Sequence, residues 1–574
     1  MKKRIMWISS LTAFCFLLAS CAGPAGNKAP QGSLASLGGG NAKTAKEQLE
    51  PLHWDGWFSD GDYRNVSDER PNAEISLEDN EGVISDTTRG SSGSTVTVTS
   101  KGIYHISGSA EDVTIVVNDT KKSGNVYLIL DGVEMRNVQK PCIFIETADK
   151  VILQCVGENR LEFSAAEEKT DGAIYAGSDV TINGSGSLCI ESALHGIVCK
   201  KDLRVTGEEL ELEIEAGRIG IKSEKSVCFD GADSSIRSGH DGIQISIEGG
   251  EGYFVQKSGK VRLTAGYDGI DVKKEKAEAK SRIVLAGGEM DVVSGGGADC
   301  SRNAKQSQKG LKCDGEIWLM DGKFRISSAD DALYANGNAE IAGGITDLFS
   351  GDDGVRVGKL LLITGGYLHV GKAYEGFEAG EVCVSGGESR ITASDDGINV
   401  AGGNDARADS ETEERTAGSS GFVMSGGKVY VDAQGDGVDS NGSIFVSGGL
   451  LIVEGPENSL NAALDKGDGT DCRAEITGGT VLAIGSDGMA KNFDSGSQCS
   501  GLAVISGDAG DRIDVEDGSG FTYCATKSFS CVVYSAPTLK EGEKYQITAG
   551  NHQTVLDFTS GRYFSDLTEK NKGN

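Results

Sequence analysis

The chain has 574 residues, with 86 Asp and Glu against 55 Lys and Arg, and its formal net charge is -31. This charge disfavours nucleic acid and anionic membranes as main partners, because both are negatively charged, and it favours cations. Glycine is abundant at 83 residues and proline is scarce at 7. The glycines recur beside strand-like runs rather than in tracts, which indicates turns and not disorder.

Residues 1–20 have the features of a lipoprotein signal peptide. Residues 2–4 are basic, and the apolar run at 5–18 is too short to cross a bilayer. The tetrapeptide LASC at 18–21 resembles a bacterial lipobox, which implies cleavage before Cys21 and a lipid on its thiol. We therefore expect an exported, extracytoplasmic protein that touches the membrane only through this lipid anchor.

Residues 21–70 are rich in Gly, Ala, Ser, Asn and charge, which predicts a flexible tether. From Thr95 onward the chain consists of short β-branched runs separated by Gly, Asn or Asp. Because no stretch keeps a helical period, we expect an all-β fold.

A regular repeat organises residues 71–490. Acidic turn residues recur at 331, 353, 375 and 396, with steps of 22, 22 and 21 residues. The sequence therefore predicts a right-handed, single-stranded parallel β-helix with about 22 residues per coil. We expect a small antiparallel β cap at 491–574, since solenoids need covered ends. Two polar insertions, around 295–309 and 402–421, interrupt the repeat and have the length of functional or disordered loops.

The repeat would stack like charges. Coils of a β-helix are about 4.8 Å apart, and carboxylates at that spacing repel by about 1 kcal/mol in water and more near a protein surface. Protonation, interleaved basic residues or a bound metal ion can offset this repulsion. Oxygen ligands without histidine or thiolate favour calcium, whose ligands on opposite sides of the ion stand about 5 Å apart.

The predicted calcium ligands are the doubled or unusual acids of the turns. They are Asp330, Asp331, Asp352, Asp353, Glu375, Glu378, Asp395 and Asp396, with Asp268, Asp271, Asp436 and Asp439 as extensions. Asp before Gly also makes an ordinary turn, because its side chain caps the backbone. That interpretation is preferred for Asp171, Asp241 and Asp487.

Several motifs resemble a known family. They are LDGV at 130–133, GAIY at 172–175, TINGSGSL at 181–188, SQKGLK at 307–312, YEGFE at 374–378 and DDGIN at 395–399. Over about residues 95–550 the sequence resembles exported, largely clostridial β-helix proteins described as carbohydrate-binding, whose fold is like that of pectate lyases. The resemblance implies calcium in the stacked turns and binding of cellulose or acidic polysaccharides such as polygalacturonate, without established catalysis. His195, Ile219 and Ala332 depart from the Asp-Gly turns of that family, so calcium is not expected in the N-terminal coils.

The favoured hypothesis is a surface-anchored, non-catalytic, monomeric protein that binds a polysaccharide through a calcium-loaded acidic ridge. The residues predicted to contact sugar from the outward side of the same coils are Tyr334, Arg356, Tyr367, Tyr374 and Asn399. Two alternatives remain open. One is a calcium-dependent polysaccharide lyase with Arg356 as the proton acceptor, and the other is a structural adhesin or envelope scaffold.

Overall fold

The structure is a computed structural model that describes residues 56–164, 172–400 and 421–557. The predicted signal peptide, Cys21, Asp171 and most of the 402–421 insertion lie outside these residues. The described chain is almost entirely strand, with one short helix, α1 (Asp60–Tyr63). None of its helices is long and apolar enough to span a membrane.

The strands are short and are numbered in chain order. The first ten are β1 (Ala73–Asp79), β2 (Glu81–Ile84), β3 (Gly90–Ser91), β4 (Thr95–Val98), β5 (Gly102–Glu111), β6 (Thr114–Asn118), β7 (Val126–Asn137), β8 (Ile143–Thr147), β9 (Lys150–Val156) and β10 (Glu158–Phe163). The next fifteen are β11 (Gly172–Ala176), β12 (Asp179–Gly184), β13 (Ser187–Ser192), β14 (His195–Cys199), β15 (Asp202–Thr206), β16 (Glu211–Ala216), β17 (Ile221–Ser223), β18 (Ser226–Asp230), β19 (Asp233–Ser238), β20 (Ile243–Ile247), β21 (Glu251–Gln256), β22 (Lys260–Ala265), β23 (Ile270–Lys274), β24 (Lys280–Leu285) and β25 (Glu289–Ser294). Then come β26 (Leu311–Cys313), β27 (Glu316–Leu319), β28 (Lys323–Ser328), β29 (Leu333–Ala335), β30 (Ala339–Ile341), β31 (Ile345–Ser350), β32 (Val355–Ile363), β33 (Tyr367–Ala373), β34 (Phe377–Val384), β35 (Glu388–Ala393), β36 (Ile398–Val400), β37 (Gly421–Met424), β38 (Lys428–Ala433), β39 (Val438–Ser440), β40 (Ser443–Glu454), β41 (Leu464–Lys466) and β42 (Ala474–Gly485). The last seven are β43 (Ser495–Gly496), β44 (Ser500–Gly507), β45 (Arg512–Val515), β46 (Thr522–Cys524), β47 (Phe529–Ser535), β48 (Lys544–Ala549) and β49 (His552–Asp557).

These strands form a parallel β-solenoid of about 14 turns, which confirms the predicted fold class. Each coil contributes to three sheets, and each strand pairs in parallel with its counterpart one coil away. The first sheet contains β11, β14, β17, β20, β23, β26, β29, the starts of β32 and β34, β36, β39 and β41. The second contains β9, β12, β15, β18, β21, β24, β27 and β30. The third contains β10, β13, β16, β19, β22, β25, β28, β31, β33, β35 and β38.

Apolar side chains stack from coil to coil inside the solenoid. In the first sheet Ile270, Leu311, Leu333, Val355 and Phe377 pair successively, and each is at most 2% exposed. Burying such a side chain stabilises the fold by about 1.5–3 kcal/mol. A slip of one residue would turn this column outward, so the apolar pattern fixes the register that also stacks the acidic turns.

Glycine follows most of the acidic turns because neighbouring coils approach closely there. A Cβ atom on Gly397 would lie 2.1 Å from Val431 Cγ1 and 2.7 Å from the carbonyl oxygen of Gly437. Both distances are too short for any side chain. The Asp-Gly turns are therefore required by packing between coils, whatever else their carboxylates do.

The end of the predicted tether belongs to the solenoid body. Trp57, Asp62 and Val66 are 8%, 0% and 0% exposed, because residues 56–66 lie across the second sheet. The Asp62 carboxylate contacts Lys150 and Thr181. Residues 56–66 of the predicted tether therefore pack on the solenoid, since a buried acid and its partners fix this segment.

The predicted antiparallel cap is confirmed at the C-terminal end. Strands β45, β46, β48 and β49 form a four-stranded antiparallel sheet, and β47 runs antiparallel to both β42 and β44. The cap covers backbone groups that the last coil would otherwise expose as a free sheet edge.

Candidate functional site

Most of the predicted acidic residues lie in two columns beside the first sheet, and both columns also contain basic and neutral residues. We call them the turn column and the strand column. The turn column contains Asp241, Asp268, Lys309, Asp331, Asp353, Glu375, Asp396, Asp436 and Ala462. The strand column contains Gln244, Asp271, Lys312, Tyr334, Arg356, Glu378, Asn399, Asp439 and Asp465. From Lys309 to Asp396 and from Lys312 to Asn399 the columns follow the predicted steps of 21 or 22 residues, and their other steps are longer.

Most turn-column carboxylates bond to the backbone of the next coil. Asp331 Oδ1 accepts a hydrogen bond from the Asp353 amide at 3.1 Å, and Asp396 Oδ1 accepts one from the Asp436 amide at 2.7 Å. The same bond is made by Asp241, Asp268 and Asp436. Turn capping, which the sequence favoured for Asp241, therefore applies to most of the column and accounts for one oxygen of each acid.

Asp353 departs from this pattern. Its side chain is 0% exposed, yet neither carboxylate oxygen accepts a hydrogen bond from any residue that the structure describes. One oxygen each of Asp353, Glu375 and Glu378 lies within 4.8 Å of the others, and we call these three residues the buried triad. Burial and the surrounding carboxylates raise the pKa of Asp353 well above its usual range.

Arg356 balances part of the charge of the buried triad. Its Nη1 lies 3.6 Å from Asp353 Oδ2 and 3.4 Å from Glu378 Oε2. If all three carboxylates ionise, they and the guanidinium carry a combined charge of -2. Asn399 donates from Nδ2 to both carboxylate oxygens of Glu375 at 3.0 Å, and its own Oδ1 is buried without a hydrogen bond. The donor set is entirely oxygen and fits a divalent hard cation.

Asp330 and Asp331, one coil earlier, and Asp352, next to Asp353, are neutralised by basic residues of the chain. Lys309 Nζ lies 3.1 Å from Asp330 and 2.9 Å from Asp331. Arg302, from the 295–309 insertion, lies 3.2 Å from Asp330 and 2.6 Å from Asp352. The repulsion that motivated a calcium prediction at these three aspartates is therefore offset by interleaved cations, and the insertion covers this part of the ridge.

A similar arrangement holds the predicted extension at Asp268 and Asp271. Lys312 Nζ lies 3.5 Å from Asp268 and 3.7 Å from Asp271. Burial nevertheless raises the pKa of Asp271 to about 7, with neighbouring Asp268 and Asp241 adding to the rise and Lys312 opposing it. The coil that carries Lys309 and Lys312 is thus basic, and it lies between the coil of Asp268 and Asp271 and the coil of Asp331.

The last acidic group is more open, and we call it the open triad. Asp396, Asp436 and Asp439 are half-buried, with one oxygen of each within 4.8 Å of the others. Among described residues, no lysine or arginine lies within ion-pair distance of these carboxylates. Burial and neighbouring acids raise the pKa of Asp396 to about 7 and those of Asp436 and Asp439 to about 6. A cation near these groups would be favoured at neutral pH.

Gly435 leaves room for carboxylates beside the open triad. A Cβ there would lie 2.3 Å from Asp396 Oδ1 and 2.6 Å from Asp395 Oδ1. Asp395 stands one residue before the turn column, in register with Asp330, Asp352 and Tyr374. It faces the same space as the open triad without belonging to it.

Four of the five predicted sugar contacts lie on the ridge. Tyr334, Arg356 and Asn399 occupy the strand column, and half-buried Tyr374 precedes the turn column. Tyr367 does not lie there, because it pairs with Ile345 and Glu388 in the third sheet. Tyr367 thus lies outside the two columns, since the repeat length alone does not say which of three faces a residue occupies, and its predicted contact with sugar stays a prediction.

Sequence reasoning missed the basic residues of the ridge. Lys309 and Lys312 stand 22 residues before Asp331 and Tyr334, so the register alone could have placed them in the two columns. Arg302 carries no such signal, because it lies in an insertion without period.

Comparisons with known proteins point to carbohydrate binding. A family model described as carbohydrate-binding domain-containing protein matches residues 92–354. A protein of that description from Acetivibrio thermocellus is 31% identical over 237 residues, which cover 40% of this chain and 76% of the relative. The chain belongs to this carbohydrate-binding domain family. The family match ends at Gly354, so Glu375, Glu378 and the whole open triad lie beyond it.

A solved structure is also similar to a part of this family member. It is described as the polysaccharide lyase-like protein from C. thermocellum, gadolinium derivative. The sequence identity is 27%, the TM-score is 0.33, and the match covers 38% of this chain and 94% of that one.

Proposed function

We propose that this protein binds carboxylated polysaccharide without catalysis, through calcium held on the acidic ridge. The observation that carries the proposal is Asp353, whose two buried oxygens accept no hydrogen bond from the described residues although two further carboxylates and one guanidinium lie beside them. The buried triad would hold one calcium ion that stabilises the ridge. The half-buried open triad would hold a second ion that is accessible to a glycan. A bound ion supplies positive charge that attracts uronate carboxylates to an otherwise repulsive surface.

The state of Arg356 favours binding over lyase chemistry. A proton acceptor must be neutral, and Arg356 is only 9% exposed and lies between two carboxylates. Although burial disfavours its charge, Glu378, Asp331 and Asp353 raise the pKa of Arg356. The guanidinium therefore stays protonated and serves as a counter-ion, and it does not fit the role of base.

Titration with polygalacturonate tests the proposed function. We expect binding in calcium, and at least tenfold weaker binding when Asp396 and Asp439 are both changed to asparagine, because the open triad then keeps one carboxylate. The measurement is isothermal titration calorimetry with and without chelator. A Glu213→Gln/Glu215→Gln variant removes two exposed acids from the third sheet and should bind as the wild type does. Absence of binding in both calcium and chelator would refute the proposal.

We also propose that the protein is exported and held at the membrane by a lipid on Cys21. The LASC sequence at 18–21 supports this, since it follows a basic and an apolar segment. In the native cell a Cys21→Ala variant should leave the membrane fraction and appear in the soluble fraction. Equal membrane retention of both forms would argue against the anchor.

A further inference from the structure

A groove of about 350 Å³ lies on the outer face of the third sheet, away from the acidic ridge. It crosses β22, β25, β28 and β31, so that it runs from coil to coil along the solenoid. Its basic residues are Lys260, Arg262, Lys323 and Arg325. The lining also contains three acids, Glu289, Asp291 and Asp347, so that four basic against three acidic side chains give the groove a net charge of +1 in a chain of net charge -31.

Two of these basic residues are already neutralised. Lys260 Nζ lies 3.5 Å from Glu289, and Arg262 forms two hydrogen bonds with Asp233. Asp347, an acid in the groove, lies 3.0 Å from His369 Nδ1. Glu289 and Asp347 therefore have partners of their own, whereas Asp291 lies in register with Arg262 and Arg325 on the neighbouring strands.

Lys323 and Arg325 differ from the other two. Both are exposed, and no carboxylate of the described chain lies within ion-pair distance of either. They alternate on β28 and so point to the same side of the sheet, about 7 Å apart along the strand. The groove thus presents two cations that form no ion pair within the described chain, with the carboxylate of Asp291 on the strand beside them.

An apolar surface continues from these cations along the solenoid. The Arg325 guanidinium lies 4.8 Å from the centre of the Phe349 ring, which limits its orientations. Phe349 and Tyr367 both contact His369, with ring centres 6.0 Å and 6.4 Å apart. Ile345 is 45% exposed beside them. A concave surface with apolar walls and a few fixed polar groups has the character of a ligand site.

We propose that this groove binds a carboxylated polysaccharide directly, without a metal ion. Carboxylates of the glycan would bind Lys323 and Arg325, while the C–H faces of its pyranose rings pack on Ile345, Phe349 and Tyr367. A polymer is favoured over a small anion, because the cations and the apolar surface follow one another across several coils. The ligand class rests on the proposed function, but the groove is independent of the calcium ridge.

Binding to polygalacturonate in excess chelator tests this site, since chelator removes the contribution of the ridge. We expect the wild type to retain binding that weakens as salt rises. A Lys323→Gln/Arg325→Gln variant should bind about tenfold more weakly, as expected for two charge-assisted contacts at a half-exposed site. Fully methyl-esterified polygalacturonate, which lacks the charge, should bind the wild type and this variant equally.

A matched control separates the groove from overall charge. Arg237→Gln/Lys428→Gln removes two exposed basic residues of the same sheet outside the groove and should change the affinity less than twofold. Equal effects of both double variants, or no effect of the groove variant, would overturn the inference. Binding that occurs only with calcium would overturn it while leaving the proposed function intact. Absence of binding in both conditions would overturn both.

Discussion

An Arg356→Gln variant should lose about 3–5 kcal/mol of its free energy of unfolding in calcium-free buffer near pH 8, because breaking a buried ion pair leaves uncompensated charge. Asp353 and Glu378 are 0% and 1% exposed, so water cannot replace the guanidinium. Glutamine keeps much of the arginine's shape without its charge. The loss thus reports on electrostatics more than on packing.

The loss should depend on pH with a defined sign. A carboxyl whose pKa is raised by folding favours the native state while protonated, and this contribution disappears as pH rises through the folded pKa. The Arg356→Gln variant should therefore be close to the wild type at acidic pH and fall behind it as Asp353 ionises. Thermal and urea unfolding at pH 5 and pH 8 measure this difference. Arg237→Gln, at an exposed site, serves as the control, and equal stability of both variants at pH 8 would contradict the argument.

Removing charge from the buried triad should abolish the stabilisation that calcium gives. Calcium at 100 times its dissociation constant would raise the free energy of unfolding of the wild type by about 2.7 kcal/mol. Asp353→Asn/Glu378→Gln leaves one of three carboxylates beside Arg356, so the site loses its negative charge and its attraction for the ion. The melting temperature should then no longer rise at that calcium concentration, and titration calorimetry should show one ion fewer.

A second pair of substitutions tests whether removing any two acids of the ridge abolishes the stabilisation by calcium. Asp330→Asn/Asp352→Asn removes acids that Arg302 and Lys309 already neutralise, and it should leave the calcium-dependent rise in melting temperature in place. Loss of the calcium effect in this variant, or its survival in the buried-triad variant, would show that the ion lies elsewhere or is absent.

The fold was predictable because its determinants are local and periodic. Each coil needs an apolar residue at the position of Leu333 or Val355 and a small residue after the turn, and in the coils from Leu311 to Ile398 both requirements repeat every 21 or 22 residues. Stacking of the acids followed from the same register. The position of Tyr367 did not follow, because three faces share one repeat length and turn geometry decides among them.

The chemistry of the ridge was less predictable than its geometry. Interleaved basic residues were one predicted way to offset the repulsion between the carboxylates. The doubled acids nevertheless led to the prediction of a metal ion along the whole acidic ridge. The choice between the two depends on contacts from outside the repeat, such as Arg302 on Asp330 and Asp352. The packing of residues 56–66 on the second sheet was also not predictable from the repeat. Its contacts are with residues 80 or more positions away in the sequence, such as Lys150 and Thr181.

That segment also determines how the solenoid would carry a mechanical load. Tension applied at Gly56 reaches Asp62, whose carboxylate contacts Lys150 on β9 and Thr181 on β12, and whose carbonyl oxygen accepts a hydrogen bond from Thr206 on β15. Contacts to three coils therefore bear the force together in shear. The strand β1 is not separated from its neighbour by breaking one hydrogen bond after another. Unfolding under tension at Gly56 would therefore require the contacts to several coils to break together.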